Sequence, residues 1–443
     1  MEKPSVRIKP AAELHGRIEL PGDKSISHRF AILGAMAQGR TRITNYSASE
    51  DCRSTLRCLR ELGIEEVHVE AGLVEMVSPG SGRLTEPSRP LDAGNSGTTI
   101  RLLSGLLAAQ PFVSRIAGDA SLNQRPMRRI VEPLSRMGAT IRCREGEYPP
   151  LEIHGALLRP IRYVLPVASA QVKSCVLLAG LTAPGLTTVV EPAPSRDHTE
   201  RALHVFGASV QRNGAEISVR GPLHLHGAVV QVPGDLSSAS FIVTAALLRP
   251  GSQVTLPGVG VNPTRDRFLR LLEDSGAGIR RRNETQVSDE PVCDLEITGG
   301  LDFLETFPRV IEGNQIPNLI DEIPILAILG TRLPDGLEVR DAGELRKKES
   351  DRIDAVVRNL QAVGVEAEEL PDGFRVPPTP KIGGGSVKTR GDHRIAMAFA
   401  VAGLLSEDGV EIDQPDCADV SFPGFFDVLN RLAGHLSSSF GRV

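Results

Sequence analysis

The 443-residue chain has no tryptophan, three tyrosines and thirteen phenylalanines, so aromatics make up only 4% of it. Its cores must be filled by aliphatic side chains and alanine. Cysteine is sparse: Cys52, Cys58, Cys143, Cys175, Cys293 and Cys417 are scattered and form no C-x-x-C pair. Such spacing signals neither a disulfide framework nor a zinc site, and a reducing cytoplasm is its simplest reading. No apolar run approaches the ~18 residues of a membrane span, so no membrane association is expected. The opening MEKPSVRIKP has neither the apolar core nor the cleavage site of a secretory leader. A formal net charge of −5 argues against a nucleic-acid partner. Lysine is scarce too, at 8 against 42 arginines. Genomic base composition would explain most of that skew; guanidinium forks gripping phosphates and carboxylates would be its functional cause. Each lysine stands out the more, Lys24 and Lys348 especially.

What the chain does have is an internal repeat. Six segments share one grammar: a polar or Gly/Ser motif, an apolar helical run, a Gly or Pro-Gly stop, and a β-branched strand. They begin at Pro21, Asp92, Val167, Val232, Ile316 and Lys388. The first and fourth, PGDKSISHRFAILGAM and PGDLSSASFIVTAAL, nearly superimpose. A second, amphipathic helix follows each unit, as in EDCRSTLRCLREL from Glu50 or QRPMRRIVEPLSRMG from Gln124, with a Gly near its end where a C-cap needs one. The pattern predicts an α/β protein whose nearly all-apolar helices lie inside a ring of neighbours. Three repeats plus three is the natural division, with the break near Val232–Pro233. The strand over 6–20 precedes the first repeat and is expected to pair with the second half.

Each repeat opens at a predicted helix N-terminus, where free N–H groups and the positive dipole end suit an anion. One Gly or Ser there does no more than satisfy the backbone. Several converging with Lys and Arg point to anion binding. In PGDKSISHR, Lys24 and Arg29 flank Ser25 and Ser27, which reads either as a phosphate cradle or as a cap between two solvated charges. Gly97 in DAGNSGTTIR lets the backbone approach a ligand, with Asn95 and Thr98 as donors. Pro126 in LNQRPMRR suits a first helical position, which would aim Arg125 at an anion; otherwise Arg125 is an exposed arginine. Glu349 and Arg352 in LRKKESDRID would share a helix face, as an ordinary surface ion pair or as part of a site with Lys348. Asp321 and Glu322 precede an apolar helix, where acids commonly stabilise the dipole.

Taken together, PGDKSISHR, AGNSGTTIR, QRPM, ASAQVK, IDEIPILA, KKESDRID and GDHRIAMAF strongly resemble the signature segments of the 5-enolpyruvylshikimate-3-phosphate synthase family, in the family's order from Pro21 to Phe399. SFPGFFDVL near the C-terminus is similar as well, so the resemblance covers essentially the whole chain. It implies a two-domain inverse α/β barrel of six βαβαββ repeats, three per domain. Residues 21–232 would form one domain, 1–20 with 233–443 the other, and the ligands would sit in the cleft. It implies transfer of the enolpyruvyl group of phosphoenolpyruvate to the 5-hydroxyl of shikimate 3-phosphate, with release of phosphate, in aromatic amino-acid biosynthesis. A cytoplasmic monomer is expected, with no metal and no cofactor. Residue by residue, Lys24, Ser25, Arg29, Ser169, Gln171, Arg196, Asp321 and Lys348 resemble the shikimate 3-phosphate ligands. Lys24, Gly97, Arg125, Gln171, Arg352 and Arg394 resemble the phosphoenolpyruvate site. Asp321 is implied as base for the 5-hydroxyl and Glu349 as proton donor to the enol methylene, with Lys24 beside them in the catalytic set. In this family glyphosate occupies the phosphoenolpyruvate site, so competitive inhibition is expected. Three positions depart from the family's habit: Val420 stands where a lysine is frequent, Glu344 where an asparagine is, and Leu102 where many relatives carry proline.

The chemistry agrees with the residues. Each substrate brings a phosphate and a carboxylate, which call for many cations and N–H donors. Adding an alcohol across an enol needs one base and one acid, and elimination reverses their roles. The nearest alternative is the sister enzyme that acts on a UDP-amino sugar, UDP-N-acetylglucosamine enolpyruvyl transferase. It typically has Lys-Asn in place of Lys24-Ser25 and a reactive cysteine in a mobile loop. Cys143 lies in an arginine-rich stretch without that loop's context. An RNA-end cyclase would need a nucleophilic His and a basic groove. A non-catalytic repeat scaffold would not need Lys24, Asp321, Glu349, Arg352 and Arg394 together.

Overall fold

The computed structural model describes residues 4–70 and 72–435. All six repeats are wired alike. The strand after each buried helix runs parallel to a lead strand and antiparallel to a third strand; the lead strand comes before the helix in the chain except in the first repeat, where it is Val229–Gln231 from far downstream. In the first repeat Gln38–Thr44 lies between Val229–Gln231 and Leu73–Pro79, with Glu65–Glu70 at the edge. Val113–Ala117 sits likewise between Leu91–Asp92 and Tyr148–His154, and Gly185–Val190 between Arg162–Val164 and Glu216–Gly221. In the fourth and fifth, Gln253–Gly260 and Leu337–Val339 take the same place. The sixth lacks a hairpin of its own: Val410–Asp413 pairs parallel with Gly385–Val387 and antiparallel with the N-terminal strand Ser5–Ile8. The other N-terminal strand, His15–Arg17, leads the fourth repeat.

The described chain divides into two compact units. One comprises Gly22–Pro233 with Gln286–Glu290 and is called the Lys24 unit below. The other comprises the residues up to Pro21, Gly234–Thr285 and the chain from Pro291 on, and is called the Asp321 unit. Each is built round three inner helices. In the Asp321 unit these are Leu236–Leu247, Ile323–Gly330 and His393–Leu405, buried along their whole length. In the Lys24 unit they are Lys24–Met36, Gly97–Leu107 and Ala170–Gly180. A helix apolar on every side cannot face water, and a ring of neighbours is the arrangement that covers it. The outer helices carry their apolar residues on one face: Arg128–Met137 buries Ile130, Pro133, Leu134 and Met137. A Cβ at Gly105 would lie 2.4 Å from the Cys175 carbonyl oxygen, so two inner helices of the Lys24 unit meet almost backbone to backbone. Among the described residues no helix is long and apolar enough to cross a membrane.

Five of the six inner helices start on a side-chain cap. Asp23, Ser96, Ser169, Asp235 and Asp392 accept from Ile26, Thr99, Val172, Ser237 and Arg394 N–H respectively. Three local expectations need correction. Pro126 is not a first helical residue: the outer helix starts at Arg128, and Arg125 closes a short turn over Leu122–Gln124 in extended conformation. The helix waits because Met127 takes the cap position, with its N–H bonded to the Glu147 carbonyl at 2.7 Å. Glu349 lies outside its helix, which starts at Arg352 behind the Asp351 cap. Glu322 occupies the cap position of Ile323–Gly330, yet its carboxylate makes no capping bond.

Candidate active site

In the Lys24 unit the motif side chains gather at inner-helix N-termini. Arg29, one turn into the first helix, is 3% exposed. Its Nε donates to Thr199 Oγ1 at 2.7 Å, Nη1 to the Ser25 carbonyl at 2.8 Å and Nη2 to Ser174 Oγ at 2.9 Å. All three acceptors are neutral. Burial pulls the Arg29 pKa down to about 10; Glu200 is the main charge resisting that fall, and the nearby Arg196 adds to it. Lys24 pairs with Asp51 at 2.9 Å, and the Asp51 carbonyl accepts from Thr99 Oγ1 at 3.4 Å. Asp51 was not singled out from sequence, because nothing local ties it to a lysine 27 residues away.

A second group surrounds Gly97. Gln171 Nε2 donates to Thr98 Oγ1 at 2.9 Å, and Arg101 Nη1 donates to Gln171 Oε1 at 2.6 Å. Arg125 Nη2 donates to Asn95 Oδ1 at 2.7 Å. A Cβ at Gly97 would meet Arg101 Nη1 at 2.8 Å and Arg125 Nη1 at 3.6 Å. The missing side chain thus leaves two guanidinium tips beside the opening turn of a helix, where the dipole also favours negative charge. Arg101 is a further candidate; its signal was its place four residues after Gly97, on the same helix face. Ser169 caps the helix that carries Gln171. Beneath that helix start, Lys173 is fully buried, with Nζ 2.7 Å from Glu200 and 3.2 Å from Glu191.

In the Asp321 unit the candidates form one network. Asp321 Oδ1 lies 3.6 Å from Lys348 Nζ, 3.6 Å from Arg352 Nη1 and 3.8 Å from Arg394 Nε. Arg352 is 1% exposed; its Nε donates to Asp392 at 2.8 Å and its Nη2 to Glu349 at 2.5 Å. Burial alone would lower the Arg352 pKa, but Asp392, Glu349 and Asp321 carry it above the ordinary value. The Glu349–Arg352 pair is therefore not a solvated surface pair. Arg346 steadies the loop that carries Lys348 and Glu349, pairing with Asp351 and Glu369 and donating to the Leu370 and Pro371 carbonyls. Val420 ends the turn Pro415–Val420, half-buried, and Glu344 lies in the turn Gly343–Lys347.

Neither unit offers an activated thiol. Cys143 is partly buried in the strand Thr140–Arg144, and burial, then Glu147, raises its pKa. A reactive cysteine needs the opposite shift.

The chain is similar to proteins of known kind along almost all its length. The family model described as EPSP synthase (3-phosphoshikimate 1-carboxyvinyltransferase) matches residues 8–429. A 3-phosphoshikimate 1-carboxyvinyltransferase of Solibacter usitatus is 51% identical over 429 residues, covering 96% of this chain and 99% of that protein. One of Desulfitobacterium hafniense is 46% identical, covering 98% of each. A solved EPSP synthase of Acinetobacter baumannii superimposes with a TM-score of 0.84 at 40% identity, covering 97% of this chain and 98% of that one.

Proposed function

Because the chain belongs to the EPSP synthase family, we propose that the two groups of side chains described above are the substrate sites of an enolpyruvyl transferase. The enzyme transfers the enolpyruvyl group of phosphoenolpyruvate to the 5-hydroxyl of shikimate 3-phosphate and releases phosphate, a step of the shikimate pathway. The reaction has two halves. The 5-hydroxyl oxygen bonds to C2 of phosphoenolpyruvate while its proton leaves to a base and C3 gains a proton from an acid. Then C3 gives up a proton, the C2–phosphate oxygen bond breaks, and the double bond returns in the product.

The observation that carries the assignment of roles is the setting of Asp321, a carboxylate within 3.6–3.8 Å of three cations. It takes the hydroxyl proton, and Lys348 stands by to stabilise the alkoxide that develops. Glu349 supplies the proton to C3. As found, its carboxylate accepts from Arg352. An incoming phosphoenolpyruvate carboxylate competes for that guanidinium and leaves Glu349 able to take up the proton it must deliver. Arg352 and Arg394, with Gly97, Arg125, Gln171 and Lys24, hold phosphoenolpyruvate. Ser25, Arg29, Ser169, Gln171, Arg196 and Lys348, with Lys24 and Asp321, hold shikimate 3-phosphate. Arg29 suits the phosphate: a buried guanidinium with neutral partners gains most from a dianion. The same reading makes the enzyme a cytoplasmic monomer; six free cysteines, four of them buried, suit the reducing compartment and say nothing of the oligomeric state.

A coupled phosphate-release assay tests the reading. Phosphate should appear with phosphoenolpyruvate and shikimate 3-phosphate, and not when UDP-N-acetylglucosamine is the acceptor. Release with the amino sugar alone would reverse the assignment of acceptor.

A further inference from the structure

The fourth repeat opens with PGDLSSAS, close to the PGDKSISH of the first, yet none of its residues has a role in the reaction above. Leu236 stands in the place of Lys24 and Phe241 in that of Arg29. Asp235 keeps the cap, and Ser237 keeps the position of Ser25. Ser237 is buried in the Asp321 unit between two charged groups. Its hydroxyl bonds Glu322 Oε1 at 2.8 Å, and Arg394 Nη1 bonds Ser237 Oγ at 2.6 Å. Glu322 in turn accepts from both Nη1 and Nη2 of Arg265, at 2.7 and 2.6 Å.

The direction of every bond in this chain is forced. Arginine only donates and an ionised carboxylate only accepts. Ser237 must therefore donate to Glu322, which turns its lone pairs to Arg394. Arg394 Nη1 also donates to the Asp321 carbonyl at 2.7 Å, so one nitrogen is gripped twice, while Nη2 makes no hydrogen bond among the described residues. Arg265, Glu322, Ser237 and Arg394 are all less than 9% exposed. Burial alone would lower the Arg265 pKa, but Glu322, then Asp321 and Asp235, hold it above the ordinary value. A buried ion pair of this kind adds little net stability over an apolar pair of equal volume, so orientation is the better account of its presence.

We infer that Arg265, Glu322 and Ser237 are positioning residues: they fix the guanidinium plane of Arg394 so that its remaining donors meet phosphoenolpyruvate already ordered. A long side chain held in one rotamer before binding spares the complex that ordering cost. The inference rests on the proposal that Arg394 binds phosphoenolpyruvate.

The test is steady-state kinetics in both substrates for Ser237→Ala, Ser237→Thr, Arg394→Ala and the double variant Arg265→Met/Glu322→Leu, each checked by thermal unfolding. Ser237→Ala should raise KM for phosphoenolpyruvate about tenfold, the scale of one charged hydrogen bond, and leave KM for shikimate 3-phosphate within about twofold. Ser237→Thr, which keeps the hydroxyl, should recover most of the loss. The double variant should stay folded and show the same selective defect, and it carries the test if Ser237→Ala does not fold. If Arg394→Ala raises the phosphoenolpyruvate constant and neither Ser237→Ala nor the double variant does, the positioning role is wrong. Equal rises in both constants would also overturn it, as a general structural effect. If Arg394→Ala leaves the phosphoenolpyruvate constant unchanged, the underlying site assignment fails instead.

Discussion

Arg29 and Arg352 are both almost wholly buried, and they meet opposite surroundings. In the Lys24 unit, Arg29 bonds two hydroxyls and a carbonyl, and among the described residues no carboxylate lies within ion-pair distance. Burial pulls its pKa down to about 10. In the Asp321 unit, Arg352 is pressed between Asp392 and Glu349, whose charges reverse the effect of burial. Arg29 thus keeps neutral hydrogen-bond partners, as Lys24 and Lys173 of the same unit do not. Arg352 is already balanced by carboxylates.

Removing the two arginines should break this contrast most sharply. Arg352→Met leaves the buried Asp392 and the partly buried Glu349 without their cation and should cost about 3–5 kcal/mol of stability, the usual scale for breaking a buried pair. Arg29→Met leaves Ser174 and Thr199 bonded to each other at 2.5 Å and should hold stability within about 1 kcal/mol, because no charge is orphaned. Its loss should appear as a KM for shikimate 3-phosphate raised roughly 10–100-fold. Urea unfolding and steady-state kinetics of the pair decide it, and equal destabilisation would erase the distinction.

Asp321→Asn comes next in size. It keeps the shape of the network and removes the proposed base, so turnover should fall about 10²-fold or more in a folded protein. Near-normal turnover would move the proton chemistry away from this unit.

The positive potential of the Lys24 unit can be read separately through His28. Burial, then Lys24 and Arg29, hold its pKa well below the ordinary 6.5. Its Nδ1 bonds Thr55 at 2.7 Å, and its buried Nε2 has no hydrogen-bond partner among the described residues. Below pH 6.5 the unfolded chain takes up a proton that the folded one refuses. This contribution is therefore whole above 6.5 and is lost as pH falls toward the folded pKa, by at most ~1.4 kcal/mol per pH unit. His28→Gln should flatten the acid limb of stability against pH by that slope. An unchanged limb would mean that His28 titrates normally.

The smallest effect is expected at Gly97. A methyl there would press on the flexible tips of Arg101 and Arg125 rather than on backbone. We expect the native enzyme to be inhibited by glyphosate in competition with phosphoenolpyruvate. Gly97→Ala should weaken inhibition by about tenfold or more and phosphoenolpyruvate binding by only a few-fold, since steric exclusion penalises the longer ligand. Inhibition constants at several phosphoenolpyruvate concentrations measure both. Equal weakening would mean that the methyl displaces the arginines and does not exclude the inhibitor.

Much of this could be read from the chain. The inner helices, their Asp and Ser caps, and the six-fold grammar depend on residues within a few positions of one another. The grouping of Gln171 with Gly97 and of Arg352 with Glu349 followed from ordered motifs. The start of the outer helix after Pro126 was misread because the cap at Met127 is held by the Glu147 carbonyl, a partner far along the chain. Arg101 and Asp51 were passed over. The fourth repeat looked like a faded copy of the first, and nothing local hinted that Ser237 stands between Glu322 and Arg394.

The sequence alone therefore determined the class of fold, the family and which residues cluster at helix starts, because periodicity, caps and motif order are short-range patterns. Only the tertiary structure decided which cation faces a hydroxyl and which a carboxylate. Lys24 and Asp51 are 27 residues apart, Arg352 and Asp392 are 40 apart, and Arg394 and Ser237 are 157 apart. Burial sets the strength of each of those encounters, and burial belongs to the packed chain, not to any segment of it.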